Sequence, residues 1–231
     1  MPATPTTTPA RLTTPPTTRA TGPPTVAPPL LVTRLSGVGD AGQVSAVGYG
    51  TSTATFTAYQ RTLTGWQQVF GPWLAHIGRN GFAASGAKRE GDGRTPSGSY
   101  GFSFFFGVNA NPGVKFAYRG IPGTWIVWDD DPASANYNEW IDTRVASAGV
   151  ASAGVAPEPM HVSAYGYGAV IDYNAGRTPG LGSAIFLHIS SGGSTAGCVS
   201  LPVSELVSVL RWLDPGRSPR IIMGTASMIS S

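Results

Sequence analysis

Cysteine is almost absent. Cys198 is the only one, so no disulfide can form within the chain. Charge is scarce as well: Asp, Glu, Lys and Arg make up 12% of the residues, about half of the roughly 25% usual in soluble domains. The net charge of +3 comes mostly from arginines scattered singly. No Lys/Arg cluster of the kind that phosphate-driven binding needs is present, which excludes nucleic acid as a partner. No run of about 18 apolar residues occurs, so no transmembrane segment is expected. Met1 leads directly into Pro2, Ala3 and Thr4, so a signal peptide is absent from the chain as given. A single cysteine leaves the compartment open. It suits an intracellular protein, or an exported one whose thiol is kept for chemistry.

Glycine (31) and proline (20) are abundant, and hydrophobic residues reach 41%. That balance suits a loop-rich, strand-rich fold with a real core. Residues 1–35 are dominated by Pro and Thr and cannot bury enough apolar surface to offset their ordering entropy. They are expected to form a disordered stalk or tail. Beyond them, Gln43–Tyr49, Ala54–Gln60, Trp66–Phe70, Trp73–Ile77, Ser99–Phe106, Thr124–Trp128, Gly168–Tyr173 and Ala184–Ser190 read as short strands broken by Gly and Pro. The spacing predicts a mainly β domain, a sandwich or barrel, over residues 36–231. One helix is predicted at 203–213, with Val203, Leu206, Val207 and Leu210 on its inner face. Pro202 opens it and Asp214-Pro215-Gly216 ends it, before a closing strand at Pro219–Met223. Residues 145–154 repeat Val-Ala-Ser-Ala-Gly twice, which reads as a mobile insert.

The chemistry concentrates in residues 184–214. Ile185, Leu187 and Ile189 alternate onto one face of a strand, which puts His188 on the other face with Phe186 and Ser190. A small-residue loop follows, then Cys198, then the helix. Loop N–H groups and a helix N-terminus beside the sulfur would favour thiolate and lower the thiol pKa. Gly197 removes bulk beside the sulfur and leaves backbone N–H groups for an oxyanion. A lone cysteine is more often a small buried hydrophobe, and a lone histidine at a strand end is usually structural. The residues alone leave function and packing evenly matched.

His188 followed by Ser194-Thr195-Ala196-Gly197-Cys198-Val199 resembles the signature of the YkuD-type L,D-transpeptidases, in which a His and a short loop precede Ser/Thr-His-Gly-Cys. Upstream, Gly91-Asp92-Gly93-Arg94-Thr95-Pro96-Ser97-Gly98-Ser99-Tyr100 is similar to the family's Thr-Pro-x-Gly-x-Phe/Tyr element. The similarity spans roughly residues 42–224. The chain departs at three places: Ala196 stands where the family has His before Gly-Cys, Ser200 stands where an Asn or Arg is usual, and the gap from His188 to Cys198 is shorter than in many members. The resemblance implies a YkuD-like β-sandwich with one or two short helices. It also implies a cysteine acyltransferase of peptidoglycan biosynthesis, with parts in cell-wall organisation and cell shape, acting outside the cytoplasm on stem peptides. Cys198 would be the nucleophile and His188 its base. The backbone of Ala196, Gly197 and Cys198 would hold the oxyanion. The Ile189 carbonyl would fix the imidazole. Ser194, Thr195, Ser200 and Tyr167 would contact substrate. Acylation by a β-lactam of the carbapenem class is a further implication.

No cofactor or metal is expected. Asp129-Asp130-Asp131 point three ways and read as a solvated loop; His76 and His161 have no ligand-set spacing. Trp125, Trp128, Tyr137 and Trp140 read as core or cleft walls, and Tyr165 and Tyr167 as candidate cleft residues against simple packing. Two rival functions remain: an L,D-carboxypeptidase-type hydrolase on the same scaffold, and a catalytically silent cell-wall-binding module, for which Cys198 would be buried and unreactive.

Overall fold

The computed structural model describes residues 30–146 and 156–230. Most of the Pro/Thr-rich stretch and most of the alanine-glycine duplication lie outside the described residues. Helix α1 (Leu30–Thr33) precedes β1 (Asp40–Ala46), β2 (Thr53–Thr62), β3 (Gly65–His76), β4 (Phe82–Ala83), β5 (Thr95–Pro96), β6 (Gly98–Tyr100) and β7 (Phe102–Gly107). Next come β8 (Tyr118–Gly120), β9 (Ile126–Trp128), β10 (Trp140–Asp142), β11 (Glu158–Pro159), β12 (Gly168–Ile171), β13 (Phe186–Ile189) and β14 (Val199–Leu201). Helix α2 (Val203–Trp212), β15 (Arg220–Thr225) and α3 (Ala226–Ile229) close the chain.

Ten strands form one curled sheet in the order β6-β15-β1-β2-β3-β14-β13-β12-β7-β8. The expected mainly β class holds. Its two layers are unequal, because β9, β10 and β11 form a separate three-stranded sheet. One face of the large sheet carries the main core, where Val44, Phe56, Ile185, Leu187, Val199 and Leu201 meet Leu206, Val209 and Leu210 of α2. On the other face Phe106, Phe186 and Cys198 pack with Ile126 and Trp128 of the small sheet. Sheet on helix and sheet on sheet thus seal opposite sides of the same strands.

Some sequence expectations shift. Trp66–Phe70 and Trp73–Ile77 are one strand, β3, because irregular register against Phe56–Tyr59 of β2 absorbs Gly71-Pro72. The predicted helix forms, but its inner stripe is Leu206, Val209 and Leu210. Val203, in the first turn, is 48% exposed. Pro202 sits at the N-cap, one residue before that turn. The folded unit reaches back before residue 36: Val32 is fully buried with Ala41, Tyr59, Ile222 and Ile229.

Candidate active site

Strand β13 alternates as its sequence predicts. Leu187 enters the main core and Phe186 the second core, while the His188 ring meets Tyr165 edge-on on the Phe186 side, at 5.4 Å between centroids. Strand β14 runs parallel to β13 with His188 abreast of Ser200. Cys198 and Ser200 therefore share a face with His188, while Val199 and Leu201 fill the main core. His188, Ser194, Thr195, Ala196, Gly197, Cys198 and Ser200 all line one cleft of about 270 Å³. Tyr165 lines it too; Tyr167 does not, and packs against the main core.

The His188 Nδ1 lies 2.8 Å from the Ile189 carbonyl oxygen. A carbonyl only accepts, so Nδ1 carries the proton and Nε2 keeps its lone pair in the neutral ring. Burial pushes the imidazole pKa below its ordinary value of 6.5, against the smaller opposing effect of that hydrogen bond. The ring is a base at neutral pH.

The sulfur departs from expectation. Cys198 does not abut a helix N-terminus: Val199–Leu201 form a strand first, because β13 and β3 flank them and take up their backbone groups. Cys198 is 7% exposed. Its S–H donates to the Ala184 carbonyl at 3.1 Å, and the Phe186 N–H donates to the sulfur at 3.4 Å. Burial, reinforced by the Glu158 and Asp130 carboxylates, pushes the thiol above its ordinary value of 9.0, opposite to the expected lowering. The linkage sign follows: unfolded thiol ionises from pH 9.0 upward while the folded thiol stays protonated, so this burial supports the fold below that pH and opposes it above.

The loop before the sulfur is pinned by the upstream motif. The Thr195 hydroxyl donates to the Cys198 carbonyl at 2.6 Å, the Thr95 hydroxyl reaches the same oxygen at 3.4 Å, and the Gly197 N–H donates to Thr195 Oγ1 at 3.2 Å. Thr195 thus anchors the loop, and the Gly197 N–H is already engaged. The Gly93–Thr95 backbone passes between two glycines. A Cβ on Gly78 would lie 2.5 Å from the Gly93 oxygen, and one on Gly197 would lie 3.0 Å from the Arg94 oxygen. Gly78→Ala is expected to cost about 1–3 kcal/mol by overpacking, read as a lower urea midpoint at unchanged slope.

Sequence reasoning missed the acidic side of the cleft. Glu90, Asp130 and Glu158 line it together with Lys88 and Ser183. Glu90 accepts from the Tyr137 hydroxyl and, at 2.7 Å, from Ser183; Glu158 accepts from the Tyr165 hydroxyl. The Lys88 ammonium is held by Asp92 at 2.7 Å. The three aspartates are not a solvated loop. Asp129 and Asp131 are buried and brace the turn, accepting from the Asp131 and Ala133 N–H groups. Asp130 turns the other way, into the cleft, and its buried Oδ1 has no partner. Burial first, then Glu158, pushes its carboxyl up to about 8. The only hint in the sequence was the alternation of adjacent side chains. His76 is bonded to Ser190 at 3.1 Å and His161 is exposed, both outside the cleft. Among the described residues no group of three or more His, Cys, Asp and Glu converges as metal ligands would.

A carboxyl raised in the folded state costs stability once the unfolded chain can ionise. The Asp130 contribution is therefore full below pH 3.8 and lost as pH rises to about 8. Asp130→Asn is expected to raise Tm at pH 8 and leave it nearly unchanged at pH 4, measured by calorimetry.

The family comparison falls on this geometry. The YkuD model, an L,D-transpeptidase catalytic domain, matches residues 53–222, which contain every cleft-lining residue named above. The chain belongs to the YkuD family. Searches of the curated proteins and of the solved structures return no match. As a YkuD domain, the chain is related to cell-wall peptidoglycan, and none of its described helices is long and apolar enough to cross a membrane.

Proposed function

We propose that this chain is a peptidoglycan L,D-transpeptidase that cross-links stem peptides through a thioester on Cys198. The observation carrying this reading is that a neutral His188, oriented by the Ile189 carbonyl, shares a cleft with Cys198 in a YkuD domain. His188 takes the thiol proton, and sulfur attacks the carbonyl of an L-centre joined to a D-residue. The oxyanion is held by N–H groups of Ala196, Gly197 and Cys198, the second released from Thr195. The tetrahedral intermediate expels the D-residue, whose amine His188 protonates, leaving the thioester. An amine of a second stem then attacks, His188 takes the amine proton, and sulfur departs as the amide forms. Ser200 and Ser194 contact the substrate backbone. The catalytic domain is the folded unit that already includes Val32, and the Pro/Thr-rich stretch before it tethers it outside the cytoplasmic membrane, in the wall or secreted.

Incubating a tetrapeptide stem with and without an amine acceptor tests the reaction. A cross-linked product formed only with acceptor supports it. Release of the D-residue with no cross-link, even with acceptor, assigns the hydrolase instead. One observation favours a silent wall-binding module: the sulfur is buried and its thiol is raised. That reading requires no mass adduct after incubation with a carbapenem, whereas the transpeptidase reading requires one.

A further inference from the structure

Two features of the cleft take no part in the bond-making steps above. The first is the carboxylate side, with Asp130 Oδ1 buried and unpartnered. The second is independent of it: Ser200 is 1% exposed, lines the same cleft, and its Oγ has no hydrogen-bond partner. Buried polar atoms are nearly always bonded, so an unbonded one facing a cavity marks a ligand's place. We propose that Asp130 and Glu158, with the Ser200 hydroxyl, form a receptor for a substrate ammonium group next to the Cys198 sulfur.

The chemistry selects a cation with N–H donors. Three carboxylates face the cleft, and Lys88, the one Lys or Arg lining it among the described residues, is paired with Asp92. Ser200 and Asp130 supply oxygen acceptors, and an ammonium supplies three donors in a compact volume. The remaining titratable groups facing the cleft are Glu90, Tyr165 and His188. Glu90 and Tyr165 are engaged with Tyr137 and Glu158, and His188 is neutral. The receptor also accounts for the part of the thiol's rise that burial does not. With the cleft empty, Glu158 and Asp130 oppose a second negative charge on sulfur. A docked ammonium cancels that opposition, which moves the thiol toward ionisation when an amine-bearing peptide is in place, while the larger effect of burial remains. That the ligand is a peptide rests on the proposed function; the ammonium receptor does not.

Methanethiosulfonate reagents test it without any peptide. The Cys198 thiolate attacks the sulfenyl sulfur, an S–S bond forms, and methanesulfinate leaves, so labelling is read by intact mass. Rates for the 2-aminoethyl, methyl and 2-sulfonatoethyl reagents at pH 8, where Asp130, raised to about 8, carries charge, are each divided by the rate with N-acetylcysteine. The cationic reagent is expected to label the wild type about tenfold or more faster than the neutral one, and the anionic reagent slowest. Asp130→Asn with Glu158→Gln should bring the three within about twofold, since only the field they sense is removed. Both changes keep the side-chain shape, and the amide oxygen introduced by Glu158→Gln still offers an acceptor to the Tyr165 hydroxyl. Equal normalised rates in the wild type overturn the proposal, as does a cation preference that survives the double substitution. A cation preference without peptide thioester keeps the receptor and sinks the transpeptidase; thioester without cation preference does the reverse.

Discussion

Cys198→Ser is expected to abolish acylation by stem peptide and by carbapenem, with no adduct detectable by intact mass. The hydroxyl is nearly isosteric with the thiol and can keep the hydrogen bond to the Ala184 carbonyl. The fold should therefore survive, with Tm within a few degrees of wild type. What is lost is the nucleophile: an alkoxide is far harder to reach than a thiolate in a cleft whose carboxylates already oppose negative charge. A Cys198→Ser protein that still forms a covalent adduct would place the nucleophile elsewhere.

His188→Ala is expected to slow acylation by about 10²–10⁴, the usual worth of a positioned acid–base. Its signature is in the pH profile. Burial holds the imidazole below 6.5, so the wild-type rate should fall on the acid side as the ring protonates, below that pH. His188→Ala should lack this acid limb. The stability sign runs in parallel. A depressed His means that the folded state binds fewer protons, so stability is full above pH 6.5 and is lost as pH falls through the lowered value. Single-turnover rates and Tm, both followed from mildly acid to mildly alkaline pH, measure the two effects. Because the two residues act as a unit, Cys198→Ser with His188→Ala should be no worse than Cys198→Ser alone. An unchanged acid limb in His188→Ala would remove His188 from the mechanism.

The environment of the sulfur shows where local reading failed. Cys198 precedes Pro202 and a helical pattern, which suggested a helix dipole at the thiol. The intervening Val199-Ser200-Leu201 segment pairs with β13 and β3 instead. Its strand state comes from pairing with β13 across the intervening loop and with β3, far back in the sequence, and the local residue pattern shows neither pairing. The acidic side was hidden for the same reason. Glu90, Asp130 and Glu158 come from three separate stretches of chain, and only the packing of the small sheet on the large one brings them to one cleft.

Several features were legible because they are local or periodic. The two-residue alternation around His188 assigned its face before any neighbour was known. The spacing of strands by Gly and Pro indicated a mainly β domain, and the helical stripe near the C-terminus needed only a shift of phase. The two motifs around Thr95 and Cys198 marked the family, though not why they belong together. Tertiary structure decided that: the Gly93–Thr95 backbone fits between Gly78 and Gly197, and Thr95 reaches the Cys198 carbonyl. It also decided the ionisation state of the site. Side-chain identity and periodicity set which groups can react, but desolvation and the charges of distant loops set whether the thiol holds its proton, and those exist only once the chain has folded.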